Sequence, residues 1–220
     1  MAITLATGTQ VNIASAYGAS VAMTAVSNSA NSTTSANATL ASSHGVIVGD
    51  FLELASGWDP LHGRIVRVSA VSTNDVTLES VFTNNTTTYP PGSGTGSIRR
   101  ITAWLGISQI TASISVSGGE QQFADVTTLT DSTQKQIPTV RSPVQVTLPV
   151  YDDPALAWYA IVRTASEGAI ATAMRMIFPN GSRLVANAYW SLQQVPTIED
   201  STLRASIALS FVANPTRYAT

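Results

Sequence analysis

A strictly alternating stretch near the C-terminal end constrains the fold more than any other feature of this chain. Along 201–212 every second residue is apolar, and small or polar residues fall between. Successive side chains of a β-strand point to opposite faces, so this pattern places the apolar set on one buried face. That set is Leu203, Ala205, Ile207, Leu209 and Phe211. The run 143–150 alternates in the same way, which predicts a mainly β chain whose antiparallel strands cover a core on one face.

One helix is predicted between these strands, at about 153–167. Asp153 is the expected N-cap, because its carboxylate can accept hydrogen bonds from the free N–H groups of the first turn. Pro154 suits the first helical position, where its missing N–H would be unpaired anyway. Gly168 is expected to end the helix in the left-handed conformation. Apolar residues recur at i, i+3, i+4 and i+7 and form one stripe, namely Trp158, Ile161, Val162 and Ala165.

A β-hairpin is predicted directly after the helix. Two strand-like runs, 171–178 and 183–190, flank a turn made by Pro179, Asn180 and Gly181. Asn-Gly between such runs is a strong hairpin signal, because both residues tolerate positive φ. The apolar stripe of the helix must be buried on something, and the apolar faces of these strands provide that surface.

Composition divides the chain into three predicted segments. Residues 1–27 are small and polar, as in an arm or an edge strand laid on a neighbour. Residues 28–97 hold several short alternating runs separated by turns, which predicts a small inserted β module. Residues 98–220 are predicted to form the main β core with the helix. The expected core of the inserted module is Phe51, Leu54, Val66, Val68 and Leu78.

The stretch 117–141 is predicted to be a long polar loop. Its segment 127–133 holds few apolar residues. A structureless loop of about 20 residues inside a compact domain is uncommon and is usually functional. The charged residues of the stretch are Glu120, Asp125, Asp131, Lys135 and Arg141.

The chain carries unusually few charges. Charged residues make up 11% of it, against roughly 25% in ordinary soluble domains. A surface rich in Ser and Thr suits burial between subunits, which favours self-assembly. The net charge of −2 and a single lysine, Lys135, argue against wrapping nucleic acid. Cysteine is absent, which excludes disulfides and thiolate metal sites, and neither a signal peptide nor a membrane span is expected.

No catalytic, cofactor-binding or metal site is predicted. The two histidines, His44 and His62, lie near no other ligand type at a metal-like spacing. Asp152 and Asp153 are adjacent carboxylates, as in a general acid–base pair, but helix capping explains them. The aromatic residues around the helix and hairpin are interpreted as core rather than as a platform for sugars or nucleobases. These are Trp158, Tyr159, Tyr189 and Trp190.

The order of elements resembles that of the tail tube, or major tail, proteins of long-tailed, lambda-like bacteriophages. The likeness rests on Met176–Ser182, which reads Met-Ile-Phe-Pro-Asn-Gly-Ser, on Tyr189-Trp190, and on the closing run Val212–Pro215. It covers roughly 98–220, preceded by the segment 28–97. The fold implied is an antiparallel β-sandwich or barrel of the tail-tube type with one flanking helix and an inserted small β module.

The resemblance implies a structural virion protein rather than an enzyme. Copies would form hexameric rings that stack into the tail tube, the conduit for DNA ejection into the host. Four strands from each of six subunits would give a barrel with a backbone diameter of about 48 Å, at ~4.8 Å per strand and ~40° tilt. The strands around 143–150, 171–178, 183–190 and 202–212 would build the wall.

The partners implied are other copies, other tail proteins at the tube ends, and double-stranded DNA that passes without tight or specific binding. The protein would be made in the bacterial cytoplasm and end in the virion tail. The stretch 117–141, with its charged residues, is expected to make contacts between rings, and 28–97 to decorate the exterior or bridge neighbours.

Three other interpretations stay open at the level of sequence. One is the tube of a contractile tail, a gene-transfer particle or a secretion apparatus. Another is a β-sandwich carbohydrate-binding module that uses Trp58 and exposed aromatic residues. The third is an enzyme, for which no set of nucleophile, base and orienting group is visible.

Overall fold

A computed structural model describes residues 7–27, 35–111 and 114–219 and confirms the mainly β architecture, with one α-helix and one short 3-10 helix, Asp59–Leu61, among these residues. The helix, α1, is Ala157–Glu167. The strands are β1 (Gln10–Val26), β2 (Asn37–Leu40), β3 (Phe51–Ser56), β4 (Ile65–Ser72), β5 (Asp75–Leu78), β6 (Gly96–Ile107), β7 (Ser115–Ser117), β8 (Gln121–Asp125), β9 (Gln136–Arg141), β10 (Gln145–Tyr151), β11 (Thr172–Ile177), β12 (Arg183–Leu192), β13 (Thr197–Glu199), β14 (Thr202–Phe211) and β15 (Thr216–Tyr218).

Thirteen of these strands form one antiparallel sheet. Its order is β2-β5-β4-β3-β6-β1-β11-β12-β14-β10-β7, with β13 beside β14 and β15 beside β12. Strands β8 and β9 form a separate two-stranded sheet. The alternating run at 202–211 lies between β12 and β10, and its apolar residues Ala205, Ile207 and Leu209 are buried as predicted.

One half of the large sheet closes on itself. Strand β2 pairs with β5 on one side and with the last part of β1 on the other, so β1, β2, β5, β4, β3 and β6 form a barrel. Four of the five core residues predicted for 28–97 lie inside it, namely Leu54, Val66, Val68 and Leu78. The fifth, Phe51, points out of the barrel and packs on the rest of the sheet. The barrel core also contains Met23 and Ile98, which lie outside 28–97.

Strand β1 joins the two halves of the molecule. Its first part pairs with β11, its last part pairs with β2, and β6 runs beside it for most of its length. The prediction of an edge strand for the N-terminal segment is therefore wrong, because the described part lies in the interior of the sheet. The register shifts between Ala14 and Ser20, where the strand passes from one core to the other.

The second half of the sheet stays open, and α1 covers one of its faces. Trp158, Val162 and Ala165 from the helix pack with apolar residues of β1, β10, β11, β12 and β14 in one core. Trp190 also lies in this core and donates from its indole Nε1 to the carbonyl of Thr172 at 2.9 Å. The helix therefore fills the concave side of the open half.

The helix begins three residues later than predicted, since its first residue is Ala157 rather than Pro154. Leu156 is its N-cap residue, and no side chain caps it. Asp153 instead accepts from the backbone N–H of Ala155 at 3.0 Å, and Leu156 N–H donates to the Asp153 carbonyl at 3.2 Å. Asp153 and Pro154 thus shape a turn that precedes the helix, and the prediction of Asp153 as helix N-cap is wrong.

The helix ends at Gly168, but not in the predicted conformation. Gly168 is right-handed, with φ −81° and ψ −5°. Ala169 takes the left-handed conformation, with φ +47°. Ile170 N–H donates to the Ala165 carbonyl at 3.0 Å, and Ala169 N–H to the Ser166 carbonyl at 3.3 Å. These two bonds make a Schellman end whose left-handed position is occupied by alanine instead of glycine.

Pro179, Asn180 and Gly181 connect β11 to β12. Gly181 N–H donates to the Phe178 carbonyl at 2.9 Å, and Phe178 N–H donates to the Ser182 carbonyl at 2.9 Å. Only Gly181 has a positive φ, of +81°. The connection is a three-residue loop with a glycine bulge rather than the two-residue turn with two positive φ angles that Asn-Gly suggests.

A small third core holds the barrel against the open half. Phe51 meets the rings of Trp104 and Tyr218 edge-on, with centroids 5.9 and 6.2 Å apart. Ala173 N–H donates to the Tyr17 hydroxyl at 2.8 Å, and Arg67 N–H donates to the Tyr218 hydroxyl at 2.7 Å. Burial raises the pKa of both tyrosines to about 12. Two neutral phenols therefore satisfy backbone donors at this contact.

Candidate assembly surface

The stretch predicted as a long loop is a protruding β-hairpin. Strands β8 and β9 pair antiparallel, with Phe123 opposite Pro138 and Ala124 opposite Ile137, and the register shifts between Gln121 and Phe123. Neither strand pairs with the large sheet. An isolated two-stranded hairpin is at best marginally stable in water, so this element needs a further surface to pack on.

Apolar side chains of this hairpin face solvent. Phe123 and Ile137 are 58% and 51% exposed, and Leu129 at the tip is fully exposed. Val140 near its base is also largely exposed. Sequence reasoning missed this group because Gln, Thr and Ser surround it. The signal that could have found it is the pair of short runs, Gln121–Asp125 and Gln136–Arg141, each containing strand-favouring residues.

Two carboxylates order the hairpin tip. Asp125 accepts from the Thr127 hydroxyl at 2.5 Å and from Gln134 at 2.9 Å. Hydrogen bonds from the Thr127 side chain, from its backbone and from Gln134 lower the pKa of Asp125. Asp131 pairs with Lys135, and this contact, followed by bonds from Thr128, lowers the pKa of Asp131. The tip therefore has a defined shape at neutral pH.

The two remaining charged residues of the stretch lie at the hairpin base. There Ser142 N–H donates to the Glu120 carbonyl at 3.0 Å, Glu120 N–H donates to the Ser142 hydroxyl at 3.1 Å, and Arg141 donates to Gln121 at 3.3 Å. Arg141 also lines a cleft of about 840 Å³ between the hairpin base, the barrel and the segment after β14. Arg64 and His62 line the same cleft from the barrel side. The five residues named from sequence thus lie on one element, at its tip and base.

Two edges of the open half have no strand beside them in the described part of the chain. The residues of β6 beyond Arg100 pair with β1 only, because β3 pairs with 96–100. At the opposite edge, β7 pairs with β10 and with no further strand. Unpaired edges present free N–H and C=O groups, which another chain can complete.

The outer face of β7, β10, β14 and the end of β12 is broad and almost free of charge. Cross-strand pairing aligns Ser117, Gln145, Ser210 and Tyr189 in one row. Apart from Arg204, at one end of β14, the side chains that the register places on this face carry no charge. They are Ser115, Ser117, Gln145, Thr147, Pro149, Tyr151, Tyr189, Ser191, Ser206, Ala208 and Ser210.

The residues considered for chemistry lie apart from one another. His44 contacts the Thr73 carbonyl, and His62 contacts the Ser56 carbonyl. No group of three metal-ligating side chains occurs within the described ranges. Trp58, proposed for a carbohydrate site, is buried and donates to the Pro90 carbonyl at 2.9 Å. Three of the four aromatic residues near the helix are buried, and Tyr189 is half-exposed.

Within the described residues, no helix has the length and apolar character needed to cross a bilayer.

Comparison with known proteins returned one family. A family model described as "Phage tail tube protein, TTP" matches residues 56–220. The match covers far more than half of the chain and begins inside the barrel, upstream of the segment 98–220 that carries the sequence resemblance. No curated protein matches the chain.

Proposed function

Because this chain belongs to the phage tail tube protein family, and is thus a structural protein of the virion tail, we propose that six copies close into a ring. Rings of this kind stack into a tube of the non-contractile, lambda-like type, and the phage genome passes through it at ejection. A ring needs contacts that close, whereas stacking needs contacts that repeat without closing. The protein carries surfaces suited to both kinds of contact.

The observation that carries this proposal is the exposed hairpin β8–β9. It presents Phe123, Leu129 and Val140 to solvent and takes no part in any of the three cores. Burying a side chain of this size contributes roughly 1.5–3 kcal/mol. A hairpin that reaches across to the next ring would bury these residues and gain the packing that it lacks in a single subunit.

The open sheet edges support closure of the ring. When the free edge of β6 in one copy meets the β7 edge of its neighbour, backbone pairing continues across the subunit boundary. Closure also removes both edges, which would otherwise invite irregular association.

The uncharged face supports a role as a conduit. A wall that releases DNA as readily as it admits it should hold few guanidinium or ammonium groups, because these neutralise phosphate and retain the duplex. We assign the lumen side to the outer face of β7, β10, β14 and the end of β12. Strand β11 and the start of β12 lie between α1 and the barrel. Of the four strands expected from sequence to build the wall, this assignment therefore keeps β10, β14 and the end of β12, and it adds β7.

The division of the chain into 1–27, 28–97 and 98–220 is also part of the proposal, in a modified form. The barrel has its own core, which supports a distinct module. Since β1 and β6 complete it, the module includes residues on both sides of 28–97. In the tube, the barrel would lie away from the lumen and decorate the exterior or bridge neighbours.

Substitution on the hairpin tests the proposal. The triple variant Phe123→Ser, Leu129→Ser and Val140→Ser should stay folded, because these side chains lie outside the cores, but it should form no tubes. The matched control is Ile47→Ser with Val48→Ser, which removes two exposed apolar side chains from a barrel loop. Negative-stain images of both proteins at equal concentration provide the readout, and normal tubes from the hairpin variant would contradict the proposal.

A further inference from the structure

Charges of opposite sign collect at the two ends of strand β12. The strand begins at Arg183 and ends at Leu192, so its ends lie about 30 Å apart at ~3.3 Å per residue. The group near Arg183 is called the arginine end, and the group near Leu192 is called the acidic end. Each is defined by contacts of named residues.

The arginine end gathers around β15 and the start of β12. Arg64 donates to the Thr216 hydroxyl at 3.0 Å, and Arg67 lies 4.6 Å from the centre of the Tyr218 ring. Arg183 pairs with Tyr218 across the strands. Two further members complete the group: Arg217, on β15, and Arg175, whose pKa is lowered by burial and by the charge of Arg183.

Most of these guanidinium groups lack a counter-charge. Arg67 forms an ion pair with Glu79. Arg64, Arg175, Arg183 and Arg217 form no ion pair with any carboxylate of the described residues. The Nε atoms of Arg64, Arg175 and Arg183 are buried without a hydrogen-bond partner. Arg175 lies 4.5 Å from the centre of the Trp104 ring and Arg217 lies 4.8 Å from that of Phe178, but no carboxylate of the described residues neutralises these four groups, and partly buried charge without a counter-charge is costly.

The acidic end gathers where β10 and β12 stop and β14 starts. Its five carboxylates belong to Asp152, Asp153, Glu167, Glu199 and Asp200. Asp152 N–H donates to the Leu203 carbonyl at the start of β14, and Gln194, two residues beyond β12, donates to Glu167 at 3.2 Å. Two guanidinium groups pair with some of them, since Arg204 contacts Glu199 and Asp200, and Arg163 contacts Glu167. Carboxylates remain in excess, and Asp152 Oδ1 is buried without a partner.

An apolar patch accompanies the acidic end. Val195 and Ile198 are 77% and 80% exposed, and Leu203, which pairs with Ile198 across the β13–β14 hairpin, is also exposed. An apolar centre with a charged rim is the usual composition of a protein–protein interface.

From this juxtaposition we infer that the arginine end of one subunit docks on the acidic end of a second copy, in a head-to-tail contact. The partner is another copy because the two surfaces complement each other in sign and occur on the same chain. The contact is heterologous, so it propagates from copy to copy. This inference rests on the proposed assembly, and it names the surfaces that determine the polarity of that assembly.

Charge reversal at each end tests the contact. Variant A carries Arg183→Glu and Arg217→Glu, and variant B carries Glu167→Arg and Glu199→Arg. In either variant alone the complementary charges of the contact are removed, because the reversed side chains meet groups of their own sign on the next copy. The concentration needed for assembly should then rise at least about tenfold. In an equal mixture, the reversed side chains of A meet the reversed side chains of B with opposite charge, and assembly should return. Asp75→Lys, on the barrel, is the control and should assemble like wild type.

Sedimentation and negative-stain imaging measure assembly, and circular dichroism checks that each variant is folded. Failure of A and B alone with recovery in the mixture supports the contact. Assembly of either variant alone at the wild-type concentration overturns it, as does a folded mixture that stays dispersed. Loss of binding to duplex DNA by variant A with normal assembly would show that the arginine end serves nucleic acid instead. Wild-type protein that never assembles would contradict the proposed function itself.

Discussion

The barrel and the open half of the sheet differ in how the backbone groups at the sheet edges are paired. In the barrel, β2 meets β1 and the sheet has no free edge. In the open half, β6 and β7 each have an edge that no described residue pairs with, and the hairpin β8–β9 lies outside the three cores found among the described residues. The barrel therefore satisfies its backbone within one chain, whereas the open half leaves backbone and apolar groups that another chain can cover.

The difference shows that a tail tube subunit can have well-packed cores and still leave sheet edges and apolar side chains exposed. Each half has a well-packed core, since Leu52 in the barrel and Leu148 in the open half are both fully buried. What separates the halves is the surface they leave exposed rather than the quality of their interiors. Perturbing one half at a time shows how far they behave as separate units.

The largest expected effect comes from truncating either core. Leu52→Ala and Leu148→Ala should each destabilise the isolated subunit by about 2–5 kcal/mol, through lost transfer energy and the cavity left behind. Because β1 and β6 contribute residues to both cores, both variants should keep a single unfolding transition. Urea unfolding followed by circular dichroism and by tryptophan fluorescence measures this. Two separate transitions in either variant would show that the halves unfold independently.

A smaller effect concerns the contact between the halves. Folding raises the pKa of Tyr17 and Tyr218 from 10.0 to about 12, so the folded state holds these protons more tightly than the unfolded state. Their contribution is therefore complete below pH 10 and falls as the pH rises towards 12, by up to about 1.4 kcal/mol per pH unit for each tyrosine.

Urea unfolding at pH 9 and pH 11.5 measures this loss. Tyr17→Phe should lower stability at pH 9, because Ala173 N–H loses its acceptor, by about 1–3 kcal/mol. Tyr17→Phe should also reduce the loss of unfolding free energy between pH 9 and pH 11.5. The double variant with Tyr218→Phe should reduce this loss further. If the double variant loses as much unfolding free energy between pH 9 and pH 11.5 as the wild type, other groups cause the loss of stability at high pH.

The smallest effect concerns the end of α1, which belongs to the open half alone. Ala169 has a φ of +47°, which glycine adopts without strain. Ala169→Gly should therefore raise stability by about 1 kcal/mol, as measured by the midpoint of thermal unfolding. The neighbouring Gly168→Ala is the control, because its new Cβ would lie 3.0 Å from Ile170 Cδ1 and 3.1 Å from the Thr164 carbonyl. It should lower stability, and a loss from Ala169→Gly would contradict the Schellman assignment.

The regular elements could be predicted from sequence because their patterns are local. Alternation located β10 and β14, and the helical spacing of Trp158, Val162 and Ala165 located the buried stripe. The helix start was misplaced because Asp153 caps a turn that precedes the helix, and both elements favour the same residue type at that position. Likewise, Asn180-Gly181 predicted a connection but not its type, since Asn180 keeps a negative φ.

Features that depend on distant pairing could not be predicted. Nothing in residues 10–13 reveals that they pair with 174–177, and that pairing turns a supposed edge strand into an interior one. Phe51 alternates like its neighbours, yet the barrel turns it outward onto Tyr218. The charged residues of the hairpin β8–β9 were identified from sequence, whereas its exposed apolar residues were not, because polar residues surround them.

The long reach of β1 has a consequence for how the protein is made. Asn12 binds the carbonyl of Arg175, 163 residues further along the chain. At roughly 5–20 residues per second, a ribosome needs on the order of 10–30 s to deliver that partner after β1 has emerged. The open half therefore cannot form until most of the polypeptide has been synthesised. Until then a nascent chain lacks strands β11, β12 and β14, so the face proposed to line the lumen is incomplete.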